Sequence, residues 1–192
     1  MLRKLGYDPD TPLEFNQKRS CGLWFLIIGL VILAATIFGG SFQVNPFIFM
    51  AGFGIGFYLS FLNPSIQKKL SQGPSSAFQD KMSNYGIVAM FILIFLMAGP
   101  FIPDQNWRMV WLGAFLATGL HFFIFYYVHG KSMIVIGTLC SFISIVGMVM
   151  ENIPFIVLGI ADAAVKLIVG LYLLFFSKPT IKAGWADKAV SS

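Results

Sequence analysis

Six apolar blocks, each about twenty residues long, constrain this chain more than any other feature. They run over about 22–39, 45–63, 85–102, 107–129, 132–150 and 153–176. A helix of about 20 apolar residues matches the hydrocarbon core of a bilayer. Inside that core every backbone N–H and C=O must be satisfied within the protein, which favours helices. Only 11% of the residues are charged and 57% are hydrophobic, whereas a soluble domain carries about 25% charge. The expected fold is all-α, a polytopic membrane protein with six transmembrane helices.

The polar segments supply an orientation. Residues 1–20 read as a cytoplasmic polar head, 21–178 as the six-helix transmembrane domain, and 179–192 as a cytoplasmic tail. Lys18 and Arg19 precede the first block in the manner of a signal peptide. Five further blocks follow and no A-x-A site ends the first, so it reads as an uncleaved span. Arg3, Lys4, Lys18, Arg19, Lys68, Lys69, Lys81, Lys131, Lys178, Lys182 and Lys188 fall on one side, against Arg108 alone on the other. The positive-inside rule then places both termini in the cytoplasm of a cell with this protein in its cytoplasmic (inner) membrane. The net charge of +5 suits contact with anionic membrane lipids and contains no nucleic-acid-binding run. Residues 64–84 read as the one substantial cytoplasmic loop.

The outer turns share marks. Asn45, Asn106 and Asn152 each stand before a second helix, with Gly52, Gly113 and Gly159 seven residues on. Pro46 and Pro154 fit a first helical turn. These marks allow a reading as three tandem helical hairpins; ordinary turn chemistry produces the same marks. Each second helix then carries a small or polar stripe: Gly52, Gly56 and Ser60; Ala114, Ala117, Thr118 and His121; Gly159, Asp162, Lys166 and Gly170. Small residues let membrane helices approach closely. The stripes either meet at a common centre or pack separately on their nearest neighbours.

The last block holds the residues most costly to bury. Asp162 and Lys166 lie near its middle, and a charge at bilayer depth costs about 2.5–3.5 kcal/mol on insertion scales. Four apart, they lie on one helical face and can neutralise each other. Counted from the outer turns, His121 and Lys166 fall at similar depth. His121, Asp162 and Lys166, with Thr118 and Ser60 as secondary contacts, form the candidate ligand-binding set. Acid, base and imidazole together suit a midplane site that binds or passes a small polar solute or a proton. The alternative is a non-catalytic membrane subunit or stress-related protein in which the buried charges are structural.

Other chemistry finds little footing. Cys21 and Cys140 fall at different depths, which argues against a disulfide, and two thiols make no metal site. His121 and His129 lie about 12 Å apart along one helix and cannot both ligate one haem from it. No nucleophile motif, phosphate loop or metalloprotease His pair occurs. An intramembrane enzyme stays open as a third reading without a recognisable nucleophile, and no cofactor or metal is expected. A homo-oligomer or a larger membrane complex is open to a chain of 21.3 kDa.

The three possible hairpins, the helix-opening Asn and Pro, and Gly52, Gly113 and Gly159 resemble small bacterial six-helix membrane proteins of unknown function, among them the hairpin-repeat acid-resistance membrane protein family. Gly119 to Lys131, GLHFFIFYYVHGK, looks like a signature of such uncharacterised proteins. The size is also similar to the six-helix substrate-binding subunits of vitamin transporters, with Ala35-x-x-x-Gly39 the nearest approach to their docking motif.

Overall fold

The computed structural model describes residues 2–8 and 13–177. The tail from 179 and part of the polar head lie outside the described residues. Among the described residues there are seven α-helices and no strand. They are α1 (Lys18–Ile37), α2 (Pro46–Phe57), α3 (Pro64–Leu70), α4 (Ala77–Ala98), α5 (Trp107–His129), α6 (Ser132–Val149) and α7 (Phe155–Leu171). Five helices are long and apolar enough to cross a membrane, or six if the bent pair α2–α3 counts as one span.

Local chemistry sets the helix ends. Asn45 caps α2 by accepting from the backbone N–H groups of Phe47 and Ile48, and Pro46 fills the first turn. Asn63 and Pro64 repeat this arrangement at α3, with Ser65 and Ile66 as donors. Both prolines occupy a position whose N–H has no helical partner to lose. Between these caps, Tyr58–Leu62 widens into a π-turn, and the axis then bends by 60°. Gly130, at φ +85°, ends α5 in a conformation that favours glycine.

Two boundary expectations need correction. The 64–84 region is not a loop: it holds α3 and the first two turns of α4. The third long helix begins at Ala77, upstream of residue 85, because Ser76 and Gln79 form a reciprocal capping box. Asn152 also fails as a helix opener. The cap of α7 is Pro154, outside the helix, and it makes no side-chain bond. The third hairpin therefore lacks the cap that opens the other two.

The helices neighbour one another in the order α2, α1, α7, α6, α5, α4. The stripes do not share a centre. Gly52 and Gly56 of α2 face Val31 and Ile27 of α1, Gly113 of α5 faces Met97 of α4, and Gly159 of α7 faces Thr36 of α1. The glycines of α2 and α7 pack on α1, whereas Lys166 of the α7 stripe reaches Cys140 on α6 and the Phe115 ring on α5. The apolar core lies between α1, α5, α6 and α7. There Phe25 meets Phe122 with ring centroids 5.2 Å apart, and Phe115 meets Phe155 at 6.1 Å.

Candidate buried polar site

The site is centred on one turn of α7. Asp162 and Lys166 project from the same face, at 0% and 3% exposure. Lys166 Nζ donates to Asp162 Oδ2 at 2.5 Å. Among the described residues this is the one salt bridge. Mutual neutralisation lets two charges persist where water cannot solvate them.

Neighbouring helices complete the ammonium's surroundings. Lys166 Nζ also donates to Cys140 Sγ on α6 at 3.6 Å. It lies 5.7 Å from the centre of the Phe115 ring on α5, within cation–π range. Three helices thus converge on one cation. Cys140 is fully buried, and Ser144 Oγ donates to its carbonyl at 2.9 Å, bracing that turn of α6. Asp162 is less complete: Oδ1 is buried without a hydrogen-bond partner among the described residues.

The other expected members turn elsewhere. His121 is buried, but its Nδ1 bonds the Thr118 carbonyl of its own helix at 2.5 Å. A carbonyl only accepts, so Nδ1 carries the hydrogen. The imidazole packs against Phe122 and Phe125, at 4.3 and 5.2 Å between centroids. No hydrogen bond joins it to Lys166 among the described residues. Thr118 Oγ1 donates to the Phe115 carbonyl at 2.9 Å, again within α5.

Ser60 joins a different group. Its carbonyl accepts from Gln67 Nε2, while Ser20 Oγ donates to Gln67 Oε1 at 3.3 Å. Ser60 therefore belongs to the junction of α1 and α3. It is separated from Lys166 because α2 packs on α1, away from α5 and α6.

Two functional contacts escaped the sequence reading. Cys140 reads there as a thiol unsuited to a disulfide or a metal site, whereas it touches the ion pair. Arg108 reads only as the cation on the sparsely charged side. Its Nη1 donates to the Ile153 carbonyl at 2.8 Å, and its Nη2 to the carbonyls of Gly147 and Met150 at 2.8 and 3.2 Å. It clamps the turn from α6 to α7. The signal was available: a helix C-terminus leaves carbonyls unpaired, and a nearby guanidinium can meet several at once.

A recess of about 310 Å³ lies elsewhere, lined by Lys18, Ser132, Tyr172, Leu173, Phe176 and Ser177. None of the five expected ligand residues lines it. Among the described residues no group of three or more His, Cys, Asp or Glu side chains is placed to hold a metal ion.

No curated protein and no solved structure matches the chain, so the likenesses to acid-resistance proteins and to vitamin-transporter subunits gain no support. A family model does match, over residues 8–183. By that match the chain belongs to a family of unknown function, DUF6609.

Proposed function

We propose that the chain is a non-catalytic integral protein of the cytoplasmic membrane in which the Asp162–Lys166 pair is structural. The six spans are α1, the bent pair α2–α3, α4, α5, α6 and α7, and both termini face the cytoplasm. The length and apolar character of these helices support the membrane reading, and the one-sided distribution of Lys and Arg supports the orientation. The observation that carries the structural role is the closure of the site. Lys166 reaches only partners on its own and adjacent helices, at 3% exposure. Asp162 and Lys166 then fix the register of α7 against α5 and α6.

The test is a double-mutant cycle on the thermal midpoint of detergent-solubilised protein. Asp162→Asn or Lys166→Met alone strands a buried partner, at a cost of about 3–5 kcal/mol. The double variant should recover most of that loss. A double variant no more stable than the singles would overturn the structural role.

One observation favours a second reading, in which this site binds or passes a small polar solute or a proton. Asp162 Oδ1 is buried with an open acceptor, and a proton or a small hydrogen-bond donor would satisfy it. Native mass spectrometry of the gently extracted protein separates the readings. An added mass that disappears in Lys166→Met supports ligand binding; a bare chain in both supports the structural pair.

A further inference from the structure

We infer that the recess at the start of α1 is a binding site for the phosphate-bearing headgroup of an anionic membrane lipid. The inference rests on the membrane reading above, but on different residues. Gly130 leaves room for the ring of Phe15: a Cβ there would come within 3.2 Å of the Phe15 edge. Phe15, so wedged at the α5–α6 turn, carries the Lys18 ammonium 5.1 Å from its ring centre. Lys18 is therefore held by an aromatic face, and it takes part in no salt bridge among the described residues.

Lys18 and Ser132, one bearing an ammonium and the other a hydroxyl, are among the residues that line the recess of about 310 Å³. Both can donate to phosphate oxygens. The Ser177 hydroxyl is already committed to the Leu173 carbonyl at 2.5 Å, so Ser177 contributes wall rather than a donor. Tyr172 and Phe176 continue from the recess along the outer face of the final turn, at 56% and 72% exposure. A cationic pocket that opens onto exposed aromatic surface suits a molecule with a phosphate head and apolar chains, and the basic end of the bundle is where anionic headgroups concentrate.

The experiment uses the full chain in a neutral detergent, titrated with phosphatidylglycerol, phosphatidylcholine or inorganic phosphate, with bound species counted by native mass spectrometry. Wild type should retain one phosphatidylglycerol in preference to phosphatidylcholine. Lys18→Gln should weaken retention about fivefold, the worth of one lysine near anionic lipid. Lys18→Arg should keep it, and Lys68→Gln, which removes an exposed charge on α3, should leave it unchanged. Equal losses in Lys18→Gln and Lys68→Gln would mean diffuse charge attraction and overturn the site. Displacement of the lipid by an equal concentration of inorganic phosphate would assign the recess to free phosphate and overturn the lipid proposal. The need for detergent during extraction is scored separately. A chain that stays dispersed without it refutes the membrane reading whatever the lipid result.

Discussion

Gly22 and Gly170 bring α1 and α7 into backbone contact. A Cβ on Gly22 would lie 2.9 Å from the Gly170 carbonyl oxygen, and a Cβ on Gly170 would lie 3.0 Å from that of Gly22. The approach is reciprocal, so neither position can accept a side chain without parting the helices. The first turn of α1 is thereby fixed against the last turn of α7, beside the recess that contains Lys18.

Gly22→Val and Gly170→Val should each lower stability by about 1–3 kcal/mol through overpacking. Gly54→Ala serves as the contrast, since a Cβ there meets nothing within 4 Å. Its stability should hold or rise, by up to about 1 kcal/mol, because Ala is favoured over Gly inside a helix. Thermal midpoints in detergent decide the matter, and equal effects at the three positions would refute close packing as the cause.

Arg108→Gln should destabilise the α6–α7 turn by about 3 kcal/mol, since bonds from a charged donor are worth about 1.5–3 kcal/mol each. Arg108→Lys should restore only part of the loss, because an ammonium lacks the planar fork that spans three carbonyls. Hydrogen exchange over residues 147–153 should rise in both variants, more in Arg108→Gln. Unchanged exchange in Arg108→Gln would show that the clamp carries no stability.

Asn45→Ala should cost about 1 kcal/mol, the usual worth of an N-cap. Asn152→Ala should cost almost nothing, since Asn152 is exposed and does not cap α7. Similar losses at the two positions would restore the third hairpin to equivalence with the first.

Cys21 and Cys140, at 3% and 0% exposure, should both resist a maleimide in the folded protein and both react after denaturation. Thiol chemistry requires access to the sulfur as well as its ionised form. Rapid labelling of Cys140 in the native state would show that the space beside Lys166 opens to solvent. That result would favour the solute-binding reading.

Much of the helical architecture could be read from residue order alone, because long apolar blocks and helix caps are local properties. Asn45 and Asn106 cap as their positions suggest, and the spacing of Asp162 and Lys166 already implies their contact. The Ser76–Gln79 box was equally visible, as a Ser with Gln three residues on, but a polar, lysine-bearing stretch read more readily as loop. Helix neighbours are different in kind. Nothing local to α7 says that α1 lies along it, or that Cys140 on α6 reaches Lys166. Ser60 illustrates the same limit: nothing local to α2 says that it packs on α1, and so away from the ion pair of α7.

That bend bears on the lipid around the protein. From Pro46 to Leu62 the helical run rises about 25 Å at most, against about 30 Å of hydrocarbon in a typical bilayer. The remainder of the pair, α3, turns away and ends with Lys68 and Lys69 in its last turn. On the proposed membrane reading, bilayer beside α2 would thin locally, while α5, at 23 residues, would ask for full thickness. Such a mismatch costs fractions of a kcal/mol per Å, enough to make the protein's preferred surroundings depend on acyl-chain length.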